Sequence, residues 1–221
     1  MPKNKIQIVW FKRDLRITDH RPIFEASINA IPTLPIYIVE TDYWKQPYAS
    51  KRHWSFIHDS LKDLRKDLKN IGQSLIVRSG SVKKIFEELS YRYNIISILS
   101  HEETGNQWTY DRDKSLQNWC LENNISFTEF PSNGIVRRLK IRSEWSKIRN
   151  SRMRKKLVST PTNLIPLIGV EEGIIPSKED PVFENNYKGI VQKGGRSEVL
   201  KIMESFLSYK GKNYTNNISK P

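Results

Sequence analysis

Short β-branched runs that alternate with helix-periodic stretches constrain this chain more than any other feature of its sequence. Ile6-Gln7-Ile8-Val9-Trp10-Phe11, Leu34–Val39, Ser74–Arg78, Ile95–Leu99 and Ile125–Phe130 read as five strands. Between them lie helical patterns. Pro22–Ala30 carries proline in its first turn. Trp54, Ile57, Leu61, Leu64, Leu68 and Ile71 step by three and four residues along one amphipathic face, which Gly72 ends. Val82, Ile85, Phe86 and Leu89 mark another helix, and Trp108–Leu121 a fourth. Alternation at this spacing predicts an α/β fold, a doubly wound five-stranded parallel sheet with helices on both faces, Rossmann-like in plan. A further helix is expected over about Arg142–Leu157. From Val158 to Gly194 the periodicity stops among Pro161, Pro166, Pro176 and Pro181, the pattern of a linker or functional crossover. Val199, Ile202, Met203, Phe206 and Leu207 then restart one C-terminal helix, whose apolar stripe must either fold back or meet a partner. The expected division is 1–157 for the α/β domain, 158–194 for the linker, and 195–221 for the start of a second domain.

The composition narrows the functional classes. No run approaches the roughly 18 apolar residues of a membrane span, and the start Met1-Pro2-Lys3-Asn4-Lys5 lacks the apolar core of a secretory signal. Cys120 is the sole cysteine, so no internal disulfide forms, and a reducing cytoplasm is expected. The net charge is +13 and unevenly placed. Between Arg137 and Lys156 there are ten basic residues against one acid, Glu144. Such a cluster fits a polyanion, with DNA the expected weak partner through Arg149, Arg152 and Arg154. It equally fits a solvated helix face, since only Trp145 interleaves the charges.

Familiar nucleotide grips are missing. A Rossmann or Walker loop needs glycine after the first strand, yet the first glycine of the chain is Gly72. No G-x-S-x-G elbow occurs. His20, His53, His58 and His101 form no i, i+4 pair, so they read as surface or packing residues and no metal is expected.

The first strand is followed instead by Trp10-Phe11-Lys12-Arg13-Asp14-Leu15-Arg16-Ile17-Thr18-Asp19-His20, a loop of charges at the usual ligand edge of such a sheet. Asp14 can pair with a nearby arginine, and Thr18 or Asp19 can cap the next helix. Trp-Phe-Lys-Arg-Asp-Leu-Arg with the later Asp resembles the opening signature of the DNA photolyase/cryptochrome family. Pro35–Glu40 is similar to its second strand, Arg112-Asp113 to its R-D pair, and Gly194-Gly195-Arg196, Phe206-Leu207, Tyr214 and Pro221 to the entry of its helical flavin domain.

The resemblance implies an N-terminal domain that holds a light-harvesting antenna chromophore, and a helical domain, expected beyond Pro221, that holds FAD and the DNA lesion. It implies light-driven DNA repair by a deoxyribodipyrimidine photolyase-like protein when both parts are present, and no repair by this part alone. Carried over by position, Arg13, Asp14, Arg52 and Glu102 are the expected polar contacts to the chromophore, with Trp10, Phe11 and Tyr37 as walls. The family's folate-type members have an Asn-Glu pair where Trp108-Thr109 stands here, so deazaflavin or flavin mononucleotide is expected before folate. Two alternatives stay open: a basic nucleic-acid-binding module or degenerate photolyase fragment, and a nucleotide-binding α/β domain with no role in light.

Overall fold

The pleat of the first strand sorts the core into two layers. In the computed structural model, which describes residues 3–183, 189 and 191–218, Lys5–Phe11 forms β1, buried on both sides. Side chains alternate along a strand, so Ile6, Ile8 and Trp10 face one layer while Val9 and Phe11 face the other. Arg21–Ile28 (α1), Thr33–Val39 (β2), the single turn Thr41–Trp44 (α2), Lys51–Asn70 (α3) and Ile76–Ser79 (β3) follow. Val82–Arg92 (α4), Asn94–His101 (β4), Gln107–Glu122 (α5) and Ser126–Phe130 (β5) complete the α/β body. α4 and α5 supply Phe86, Leu89, Leu116 and Trp119 to the first layer. α1 and α3 supply Ile23, Ala26, Leu61, Leu64 and Leu68 to the second. Each large apolar side chain among them contributes roughly 1.5–3 kcal/mol by leaving water.

All strand pairs are parallel, in the order β3-β2-β1-β4-β5. The doubly wound plan expected from the alternation is therefore present. The order reverses between β1 and β4, which places the crevice of such a sheet at their carboxyl ends.

The helix ends follow local chemistry. Ser50 caps α3 by accepting from the His53 amide. At its other end Gly72 takes φ 96°, and the amides of Gly72 and Gln73 return to the carbonyls of Lys69 and Leu68, closing a Schellman motif. The start of α1 differs from expectation. Neither Thr18 nor Asp19 caps it; His20 does, its Nδ1 accepting from the Ile23 amide at 3.2 Å. Asp19 takes a left-handed φ of 47° and accepts instead from the Val158 amide.

The proline-rich stretch after residue 157 is tied to the body. The Leu164 amide donates to Ile71, Pro166 bridges to Thr33, and the amide of Val77 in β3 donates to Glu172 at 2.7 Å. Arg65 reaches the Gly173 carbonyl at 2.9 Å. Phe183 stacks on Trp54 at 4.0 Å between centroids.

Beyond β5 the chain forms Trp145–Met153 (α6), Arg196–Ser208 (α7) and Tyr214–Asn217 (α8). α6 is shorter than the 142–157 expected, its first turn being 3-10 helix. α7 is pinned at its start, where Gly195 and Ser197 amides donate to Ser60 and Asp63 of α3. Its stripe of Val199, Ile202, Met203 and Phe206 stays between 40% and 50% exposed. Met1, Pro2 and the Pro221 of the C-terminal motif lie outside the described residues. Among the described residues no helix is long and apolar enough to cross a membrane.

Candidate functional site

At the floor of the β1–β4 crevice three side chains bond one another. Asp14, three residues past β1, accepts at Oδ2 from His20 Nε2 (2.8 Å) and from His101 Nδ1 (2.5 Å), and at Oδ1 from the Lys12 amide. Burial alone would raise the Asp14 carboxyl, but the two imidazoles hold it well below the usual carboxylate range. Burial pushes His20 down, toward the neutral ring, against the pull of Asp14. These three residues place one ligand atom each within 4.8 Å of one another, a grouping that could hold a metal ion and that sequence spacing did not reveal. The hydrogen bonds argue for a proton-filled arrangement. Because His20 Nδ1 accepts from Ile23, its Nε2 carries the proton given to Asp14. A cation bound there would take the place of that proton and break the Asp14–His20 bond.

Beside this lies a buried ion network. Lys12 pairs with Asp113 at 3.4 Å and Glu129 at 3.2 Å, and lies 4.7 Å over the Trp10 ring. Arg112 bonds Glu40 and Asp113 and approaches Glu103, which also holds Arg13 at 3.1 Å. Burial works against the Arg112 charge, yet its three carboxylates raise its pKa. Three acids share one guanidinium, so burial lifts Glu40 up to about 7 despite Arg112.

The large opening is next door, over α2 and the first turns of α3. It is an open cavity of about 1160 Å³, lined by Tyr43, Trp44, Tyr48 and Phe56 and also by Gln192 and Arg196. Arg13, Arg16 and Arg52 present cations to it. Tyr43 packs against Trp44, Tyr48 and Trp108 at centroid distances of 5.4, 5.9 and 5.7 Å, which fixes that wall.

The expected chromophore residues divide among these places. Arg13 and Arg52 line the large cavity together. Asp14 does not; it is spent on the two histidines and pairs with no arginine among the described residues. Glu102 also stands apart, in a smaller crevice of about 210 Å³ that it shares with Arg13 and His101, and it pairs with Arg152 at 3.0 Å. Trp10, Phe11 and Tyr37 do not wall the cavity, because strand residues at a doubly covered sheet are buried between layers. They line only a gap of about 60 Å³ around Glu40 and Arg112. Burial raises the Tyr37 hydroxyl pKa accordingly. The aromatic walls were readable as a signal: Tyr43, Trp44 and Tyr48 cluster in the short stretch between β2 and α3, at the ligand edge of the sheet. Gln192 and Arg196 reach the cavity from far along the chain; Arg196 belongs to the Gly194-Gly195-Arg196 motif, whereas no local pattern announces Gln192. Of the basic cluster, Arg149 and Arg154 are exposed, whereas Arg152 is mostly enclosed by Glu102 and the Ile135 carbonyl.

Comparison with known proteins places this geometry. The family model described as DNA photolyase matches residues 7–149. Cryptochrome DASH of Xenopus laevis is 27% identical over 228 residues, covering 92% of this chain and 43% of that protein. Cryptochrome DASH of Gloeobacter violaceus is 25% identical, covering 91% and 44%. The chain thus spans less than half the length of these relatives. Among solved structures, a Synechocystis cryptochrome superposes with TM-score 0.78 at 16% identity, covering 98% of this chain and 49% of that one. A class III photolyase of Agrobacterium tumefaciens gives 0.75 at 19%, covering 98% and 47%. An archaeal photolyase of Sulfolobus tokodaii, solved with two FAD molecules and described as implying a novel light-harvesting cofactor, gives 0.68 at 21%, covering 90% and 46%.

Proposed function

The chain belongs to the DNA photolyase family, and from that premise we propose that its α/β domain holds a light-harvesting chromophore for a photolyase or cryptochrome. The observation that carries this reading is the cavity of about 1160 Å³ shared by Arg13 and Arg52 and walled by Tyr43, Trp44, Tyr48 and Phe56. Its size and lining suit a fused aromatic ring with a polar edge and an anionic tail. Flat rings have aromatic faces to lie against, and the guanidiniums supply donors to carbonyl or phosphate oxygens. A deazaflavin or flavin mononucleotide has that shape. Folate is disfavoured, since Trp108 packs on Tyr43 where the folate-type pair would stand. When bound, such a group supplies absorption in the near-ultraviolet or blue. The residues here orient it and keep water from its faces.

Splitting of a DNA lesion by excited FAD is proposed only for a molecule that also contains the helical half carried by the longer relatives. The exposed stripe on α7 supports docking of that half, because Val199, Ile202, Met203 and Phe206 offer it an apolar face.

The test is direct. Purified chain titrated with flavin mononucleotide, a deazaflavin and a folate should quench and shift the emission of one of the first two. Failure of all three to bind would reduce the domain to a scaffold without pigment.

A further inference from the structure

We infer that the surface formed by α6, the loop before it and the outer edge of α5 is a lesion-independent binding surface for nucleic-acid backbone. This goes beyond the chromophore reading and does not rest on it.

Of the ten cations between Arg137 and Lys156, Arg137 and Arg152 have carboxylate partners, Glu129 and Glu102. The other eight have no such partner among the described residues. That separates two jobs merged in the sequence. Arg137 and Arg152 fasten the segment to β5 and β4, and the rest are left to the surface. α6 buries no residue, so the core does not account for the arrangement of its charges.

The loop holds the patch together. Arg149 packs its stem against Gly134, where an added Cβ would lie 2.9 Å from Arg149 Cγ, and its guanidinium sits 5.8 Å over the Trp145 ring. Arg138 takes a left-handed φ of 56°, a conformation that a non-glycine residue keeps only when its surroundings demand it. From there its guanidinium lies 5.8 Å from the Tyr110 ring of α5, alongside Lys114 at 5.5 Å and Arg137 at 5.9 Å. Arg137 is offset by Glu129, which leaves Arg138 and Lys114 as two like charges on one ring. A polyanion laid across them relieves their repulsion and releases its own counterions.

The aromatic content favours nucleic acid over an anionic bilayer. Ile141, Trp145, Met153 and Leu157 are exposed, but along α6 cations and polar residues interrupt them, so no continuous apolar stripe can enter lipid. The rings are instead flanked by guanidiniums, as on surfaces that follow single strands.

The experiment is fluorescence anisotropy of the whole chain with an undamaged labelled single strand and duplex, across a salt series, in the dark. A variant carrying Lys147→Gln, Arg149→Gln, Arg154→Gln and Lys155→Gln should bind at least tenfold more weakly at low salt. The slope of log K against log salt should shrink by about 3, at roughly 0.7–0.9 for each phosphate left unneutralised. A control with Lys62, Lys66, Lys83 and Lys84 changed to Gln removes the same charge from α3 and α4 and should stay within about twofold of the native chain. Should the first variant melt lower, the pair Lys155→Gln and Lys156→Gln, beyond the end of α6, carries the test with about half the change in slope. Equal weakening by patch and control, or binding to phosphatidylserine vesicles without binding to either oligonucleotide, overturns the inference.

Discussion

The crevice at β1–β4 and the cavity over α2 and α3 sit side by side at one edge of the sheet and share Arg13, but differ about fivefold in volume, at about 210 and 1160 Å³. In the crevice, Asp14 meets three donors and leaves an opening of only about 210 Å³. In the cavity, Arg13, Arg16 and Arg52 line about 1160 Å³ together with aromatic side chains, although Arg13 also pairs with Glu103 and Arg16 with two backbone carbonyls. At the topological switch point buried side chains satisfy one another, and the larger opening lies one strand over.

That contrast can be broken most forcefully at Asp14. Asp14→Ala would leave two imidazoles and the Lys12 amide without their acceptor in a buried place, and should cost about 3–5 kcal/mol of stability. A urea titration checks it; a loss below about 1 kcal/mol would mean the crevice is not held by this carboxylate.

Acidity separates the crevice from the buried ion network beside it by sign. His20 has a depressed pKa, so below about 6.5 the unfolded chain binds a proton that the native ring resists, and stability falls as pH falls. The lowered Asp14 carboxyl adds a further loss in stronger acid, as pH drops through its native pKa. Glu40, raised to about 7 from an unfolded value of 4.5, acts in the other direction. It binds a proton natively before the unfolded chain does, so it adds stability as pH falls from about 7 to 4.5, up to about 3 kcal/mol. Glu40→Gln should unmask the histidine, making the variant lose more stability than the native chain between pH 7 and 5. Parallel pH profiles by thermal melting would contradict the opposition.

The cavity side is probed by Arg52→Ala, expected to weaken uptake of flavin mononucleotide or deazaflavin about tenfold, near 1.4 kcal/mol, in a binding titration. The smallest effect is expected for Glu102→Gln. Glu102 faces Arg152 and the crevice, so chromophore affinity should stay within about twofold; a larger drop in a binding titration would move the site toward β4.

The fold was legible because its signals are local. Strand and helix periods alternate at regular spacing, and the glycine that ends α3 stands where its left-handed turn requires it. The site was less so. Asp14 and Arg13 stand out as charges after a buried strand, but His101 is 87 residues from the carboxylate it serves, and nothing near either residue announces the other. Trp10 and Phe11 stand just before those charges in sequence, yet as strand residues they, like Tyr37 of β2, are buried between the layers. Helix capping by His20 was hidden by the stronger oxygen acceptors just before it, one of which, Asp19, is bonded to residue 158.

The hydrogen bonds from Val77 to Glu172 and from Arg65 to Gly173 have a practical corollary. β3 is the outermost strand of its sheet, and an added Cβ on Gly173 would lie 2.1 Å from the Val77 carbonyl oxygen, so the passing backbone shields that margin closely. A shortened polypeptide ending at Leu157 would bare that strand's amides and invite strand-to-strand clumping between molecules. Anyone isolating the α/β half should therefore carry the chain on to at least residue 175.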